Sequence, residues 1–177
     1  FLHREFPDIR LVMVGADKGD GSLQLCRSTA KELGVLECIE FLGCVPKSAI
    51  PDVLDQNDIF INTTNVDNVP VSVIEGMASG LCIVSTNAGG LPHLLKHEKD
   101  ALLVNIDDAE AMAAAVRRLL VEPGLAERLS YDAYSKVEHF DWSKVLPQWE
   151  QLLADAVASK GVPNFSTEHV TTVSQKP

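Results

Sequence analysis

Five short apolar runs, each followed by an amphipathic or glycine-punctuated stretch, limit what this chain can fold into. They are Arg10–Val14 (RLVMV), Ile39–Leu42 (IEFL), Ile59–Asn62 (IFIN), Cys82–Ser85 (CIVS) and Leu102–Val104 (LLV). Their consecutive apolar positions suit strands covered on both faces, as a parallel sheet requires. Helical periods lie between and beyond them. Leu23, Cys26, Ala30 and Leu33 fall on one face, with Gly34 at the place of a C-terminal cap. Met112, Val116, Leu119 and Leu120 repeat at i, i+4, i+7 and i+8, after Asp107 and Glu110 in capping-box spacing and before Pro123. A last helix carries Leu146, Trp149, Leu152, Leu153 and Ala156 on one side, with Pro147 in or near its first turn. Such alternation predicts an α/β fold, a parallel sheet flanked by helices with right-handed crossovers.

A length of 177 residues allows one domain with or without a tail. Residues 1–160 read as the domain, and 161–177, polar and without period, as a disordered tail. A net charge of −10 with no basic stripe argues against a nucleic-acid partner. Asp107–Asp108 reads as a solvated helix start. No apolar run approaches the roughly 18 residues of a membrane span, and no signal peptide is present. Cys26, Cys38, Cys44 and Cys82 form no Cys-x-x-Cys pair, and are read as free, buried, reduced thiols of a cytoplasmic protein. The opening at Phe1 rather than Met reads as a fragment of something longer.

In an open parallel sheet, ligands bind beyond the carboxyl ends of the strands. The segments to watch are therefore 15–22, 43–46, 63–70 and 86–92. The third runs from Thr63 through Asp67, Asn68 and Val69 to Pro70, then enters an apolar helix containing Glu75. A helix starting at the strand's carboxyl edge offers free N–H groups and a positive dipole end to a phosphate. A carboxylate at position 75 among Ile74, Met77 and Ala78 would need partners, and sugar hydroxyls suit it. From spacing alone, a Glu on the solvated side of an ordinary helix is the alternative. Gly89 and Gly90 would allow a close backbone approach by a ligand, and a plain tight turn explains them equally well.

The stretch from Asp67 to Pro92, with its Asp-x₇-Glu spacing, Glu-Gly-Met-Ala-Ser-Gly helix and Gly-Gly-Leu-Pro loop, resembles the group 1 family of retaining glycosyltransferases. The resemblance runs from about Phe6 to Trp142 and includes Leu11–Gly15, Ile39–Gly43 and Phe140–Ser143. It implies a GT-B enzyme of two Rossmann-like domains, this chain being the C-terminal, donor-binding half without its first strand and helix. By that resemblance Glu75 binds the donor ribose and Asp67 lies near the transferred sugar. The backbone at Asn68, Val69 and Val71 cradles the sugar and diphosphate, Gly89 and Gly90 belong to the donor loop, and Cys44 lies in the turn lining the base. The implied partners are a nucleotide-sugar donor and the absent N-terminal domain. Family habit adds peripheral membrane association of the full-length enzyme at the cytoplasmic face.

Two positions depart from the family pattern: Asp67 stands for Glu, and Pro70 stands where many members have Gly, removing one N–H. The absent first strand and helix also carry the family's Arg and Lys for the diphosphate. The fragment is therefore expected to be inactive by itself. Without the central strand, the five runs must leave a gap, pair anew or borrow a strand. No cofactor is implied. No Asp-x-Asp motif is present and no metal is implied. His93 and His97, four apart on an expected helix, are read as exposed helix residues rather than ligands, and the Asp17–Gly21 loop lacks the later ligands of a calcium site. The alternative function is a non-catalytic Rossmann-like module binding a nucleotide or a partner protein.

Overall fold

The computed structural model describes residues 1–159, so the expected tail lies outside the described residues. The chain divides into two compact units, Phe1–Val137 and the residues from Glu138 onward. In the first, β1 (Leu11–Val14) leads through α1 (Ser22–Glu32) to β2 (Ile39–Gly43), and α2 (Ile50–Leu54) precedes β3 (Ile59–Asn62). There follow α3 (Val71–Ala78), β4 (Cys82–Thr86), α4 (Leu91–Leu94), β5 (Leu102–Val104), α5 (Ala109–Val121) and α6 (Leu125–Val137). The second unit holds α7 (Trp142–Ser159).

All strand pairings are parallel, but they form two sheets: β1 with β2, and β3-β4-β5. Of the three outcomes open to five strands, the described residues adopt the interrupted sheet. The consequence shows in burial. β4, paired on both sides, is buried at all five positions, whereas Leu11 and Val14 of β1 are 39% and 45% exposed. Alternating side chains of the three-stranded sheet feed two cores. Ile83 and Phe60 join Val73 and Met77 of α3 with Leu91 and Leu94 of α4. Val84 and Ile61 join Val116 and Leu119 of α5 with Leu129 of α6.

Several sequence expectations change. The cap of α5 is Asp108, whose carboxylate accepts the Ala111 N–H at 2.8 Å; Asp107 stands outside the helix at φ +58°. Leu120 and Leu33 are exposed, the latter because α1 has already ended at Glu32. Gly34 follows as a left-handed cap at φ +69°. Pro70 is the residue before α3, and Pro147 lies inside α7, beyond its first turn. α2 and α6 were not anticipated. The α6 stripe of Leu125, Leu129 and Ala133 is only one residue wide per turn, and Pro123-Gly124 reads as a loop. All four thiols are free, but only Cys82 is buried and Cys44 is exposed.

Candidate functional site

β3 delivers the chain into the 63–70 segment at the sheet's carboxyl edge. Pro70 is buried at φ −63° and ψ 123°, and its carbonyl accepts the Val73 and Ile74 N–H groups as the first turn closes. The N–H groups of Val69, Val71 and Ser72 donate to no described residue. An anion near them would meet unspent donors and the positive end of α3. Val73, Gly76 and Met77 bury the opposite side of the helix. Gly76 permits a tight seat on β3: a Cβ there would stand 3.0 Å from the Phe60 ring.

Glu75 sits on this helix, half-buried. No described side chain hydrogen-bonds or pairs with its carboxylate, and its oxygens reach solvent. It is neither fully solvated nor sealed in the core, which leaves its acceptors open to a ligand. Asp67 is also half-buried, and its Oδ1 accepts the Asn68 N–H at 2.7 Å. Asn68, Val69 and Val71 are exposed along the same segment. The structure thus groups Asp67, Asn68, Val69, Val71 and Glu75 at one strand end. Cys44 follows β2 in the other sheet, and no hydrogen bond or ion pair joins it to that group among the described residues.

Gly89 and Gly90 stand against this segment. The Gly90 N–H donates to the Asp67 carbonyl at 2.9 Å. Polar contacts that the sequence did not single out complete the surroundings. The Thr86 hydroxyl donates to the Thr64 carbonyl, Asn65 Nδ2 donates to Asp107 Oδ1 at 3.2 Å, and Asn62 Nδ2 donates to Ser85 Oγ at 3.1 Å. The available signal was Ser85-Thr86: hydroxyls closing a fully buried strand must find acceptors.

A cavity of about 570 Å³ adjoins these contacts: Thr63, Asn65, Thr86 and Asp107 line it together with the apolar Leu2, Ile61, Met112 and Val116. None of the expected binding residues lines it. It flanks β3, which among the described residues pairs on one side only.

The strongest electrostatic cluster is structural. Arg118 of α5 forms hydrogen-bonded ion pairs with Glu98 and Glu122, holding both carboxyls below their ordinary range while its own guanidinium is pushed up. α4 ends at Leu94, so His93 and His97 do not share a helix as expected; His97 Nδ1 accepts the Leu103 N–H at 2.9 Å. Among the described residues no three His, Cys, Asp or Glu side chains gather as a metal set. No described helix is long and apolar enough to cross a membrane.

Residues 2–136 match the family model of the group 1 glycosyl transferases. The chain belongs to that family. Among curated relatives, this group 1 domain is 35% identical over 108 residues to the amylovoran biosynthesis glycosyltransferase AmsK of Erwinia amylovora, covering 57% of the chain and 26% of the relative. It is 28% identical to the D-inositol 3-phosphate glycosyltransferase of Corynebacterium glutamicum (strain R), covering 88% of the chain and 37% of the relative. The chain thus spans well under half of these relatives. Among solved structures, Anabaena Alr3699/HepE in complex with UDP superposes with a TM-score of 0.78 at 20% identity, over 84% of this chain and 42% of that one. The C-terminal domain of the group 1 protein LpcC from Francisella tularensis gives 0.69 at 22% identity, over 77% of this chain and 71% of that domain. These likenesses establish a GT-B-type, Rossmann-like α/β fold.

Proposed function

We propose that this chain is the donor-binding part of a retaining glycosyltransferase, which moves a sugar from a nucleoside-diphosphate sugar to a hydroxyl acceptor. One observation carries the reading: Glu75, half-buried with no described partner, stands on a helix whose Val71 and Ser72 N–H groups are unspent. In this reading the diphosphate meets the amide-rich start of α3, and Glu75 accepts two ribose hydroxyls. Asp67 approaches the transferred sugar, and Cys44 borders the base. The gain comes from fixed donors placed where charge grows on the leaving diphosphate. The UDP complex of Alr3699/HepE supports the ligand class.

The chain covers 26% and 37% of the two curated relatives, and in this reading acceptor choice belongs to the part it does not cover, so the 177-residue chain by itself is expected to turn over no donor. Calorimetric titration with UDP, GDP and ADP tests the reading. One of them should bind, and Glu75→Ala should weaken it by about tenfold or more, as for a lost charge-assisted hydrogen bond. Binding of none, or an unaffected variant, refutes it. A non-catalytic binding module is the second reading, favoured by Pro70, which removes one donor from the cradle. Transfer by the longer protein to a hydroxyl acceptor would exclude that alternative.

A further inference from the structure

The segment carrying Asp67 has little to hold it in shape by itself. Asn65, Val66, Asn68 and Val69 are exposed, and Val66 is 86% exposed. Its internal side-chain bonds are two short-range ones, Thr64 Oγ1 to the Val66 carbonyl at 3.1 Å and the Asn68 N–H to Asp67 Oδ1 at 2.7 Å. The connection from β4 to α4, by contrast, is anchored. Thr86, Ala88 and Leu91 are buried, and the Asn87 N–H donates to the Val104 carbonyl of β5 at 2.7 Å.

The loose segment is laid directly on the anchored one. A Cβ on Gly89 would stand 1.9 Å from the Asp67 carbonyl oxygen, and one on Gly90 would stand 1.8 Å from the Asn68 carbonyl oxygen. Gly89 has φ +54°, so two reasons demand glycine there. Gly90 has an ordinary φ of −83°. Only the approach of Asn68 explains its lack of a side chain. The Gly90 N–H and the Thr86 hydroxyl then bond the Asp67 and Thr64 carbonyls across the contact.

We infer that Thr86, Gly89 and Gly90 are positioning residues, forming a flat platform that sets where Asp67 stands relative to the transferred sugar. The inference rests on the donor-site reading above. It assigns the Gly-Gly pair to the protein's own loop: its close approach is to backbone carbonyls, and one of its amides is already spent on Asp67. An alanine at position 90 must push the Asn68 carbonyl from 1.8 Å out to ordinary contact, a displacement of more than 1 Å. Misplacement on that scale can cost about a hundredfold at a positioned group.

The test compares each nucleotide with its sugar conjugate, using UDP and UDP-glucose, GDP and GDP-mannose, and ADP and ADP-glucose. Calorimetry is run on the wild type and on Glu75→Ala, Gly90→Ala, Thr86→Val and Thr86→Ser, with thermal unfolding of each recorded alongside. The expected result is that Gly90→Ala loses about ten- to a hundredfold in affinity for the sugar conjugate and about fivefold or more less than that for the bare nucleotide, whose diphosphate meets the Val71 and Ser72 amides as well as the displaced Asn68 backbone. Thr86→Val, isosteric but without a donor, should shift the same ratio by about three- to tenfold, and Thr86→Ser should restore it. If Gly90→Ala does not fold, the Thr86 pair decides. Equal losses for conjugate and nucleotide, or no loss while Glu75→Ala abolishes binding, overturn the platform and leave the donor site standing. A wild type that binds no pair, or a Glu75→Ala variant that binds like wild type, removes the donor-site reading and the platform with it.

Discussion

Lys136 of α6 donates to Asp100 Oδ2 at 2.8 Å and also to the Leu94 carbonyl. The Asp100 side chain is 3% exposed and the lysine 27%. Asp100 also accepts the Lys96 N–H at 2.6 Å, so this carboxylate ties α6 to the turn between α4 and β5. Lys136→Met keeps most of the aliphatic stem and removes the cation, leaving the carboxylate with one amide. Breaking a buried pair on one side costs about 3–5 kcal/mol. The partial exposure of Lys136 and the surviving amide reduce this, and about 2–3 kcal/mol is expected here. For a cooperative unit of residues 1–137, unfolding entropy is about 0.3 kcal/mol/K, so the melting temperature should fall by about 7–10 °C. Pairing the change with Asp100→Asn, which retains an acceptor for Lys96 without a charge, should recover more than half of the loss. Urea unfolding with a double-mutant cycle measures both terms. A single variant within about 0.5 kcal/mol of wild type would refute the buried-charge argument.

Asp108→Ala should cost about 1 kcal/mol through loss of the α5 cap, while Asp107→Asn, which tolerates the same left-handed backbone, should be near neutral in thermal unfolding. Arg118 holds Glu98 and Glu122 below the ordinary 4.5. That stabilisation is therefore present above 4.5 and lost as pH falls below it. Melting curves of wild type and Arg118→Met should separate by a few degrees near about pH 6 and converge near about pH 3. Thiol labelling should find Cys44 first and Cys82 last, because burial both shields the latter and pushes its thiol pKa up. A saturating nucleotide should slow Cys44 alone; unchanged labelling would place the base elsewhere.

The strands were legible because each is a short apolar run, although Leu11, Val14 and Leu42 of β1 and β2 stay exposed where the sheet is interrupted; β3 and β5 match their expected limits residue for residue. The Asp67–Glu75 group was legible because a loop, a proline and a helix follow one another without interruption. What local pattern could not show was set by distant neighbours. The split into two sheets depends on which edges find partners. The glycine requirement at 89 and 90 depends on carbonyls some twenty residues away in the chain. Helix α6 was hidden because its apolar stripe is narrow and its start follows Pro-Gly. The choice of Asp108 over Asp107 as cap turned on one backbone angle, which the pair of identical residues does not reveal.

Discrimination between a ribonucleotide and its 2′-deoxy analogue examines Glu75 most directly. Titrating the nucleoside diphosphate that binds, and its 2′-deoxy form, into wild type and Glu75→Gln isolates the contact between carboxylate and sugar. Wild type should prefer the ribonucleotide by about tenfold or more, and Glu75→Gln should bind both forms with nearly equal, weakened affinity. Undiminished preference in the variant would mean that α3 does not hold the pentose.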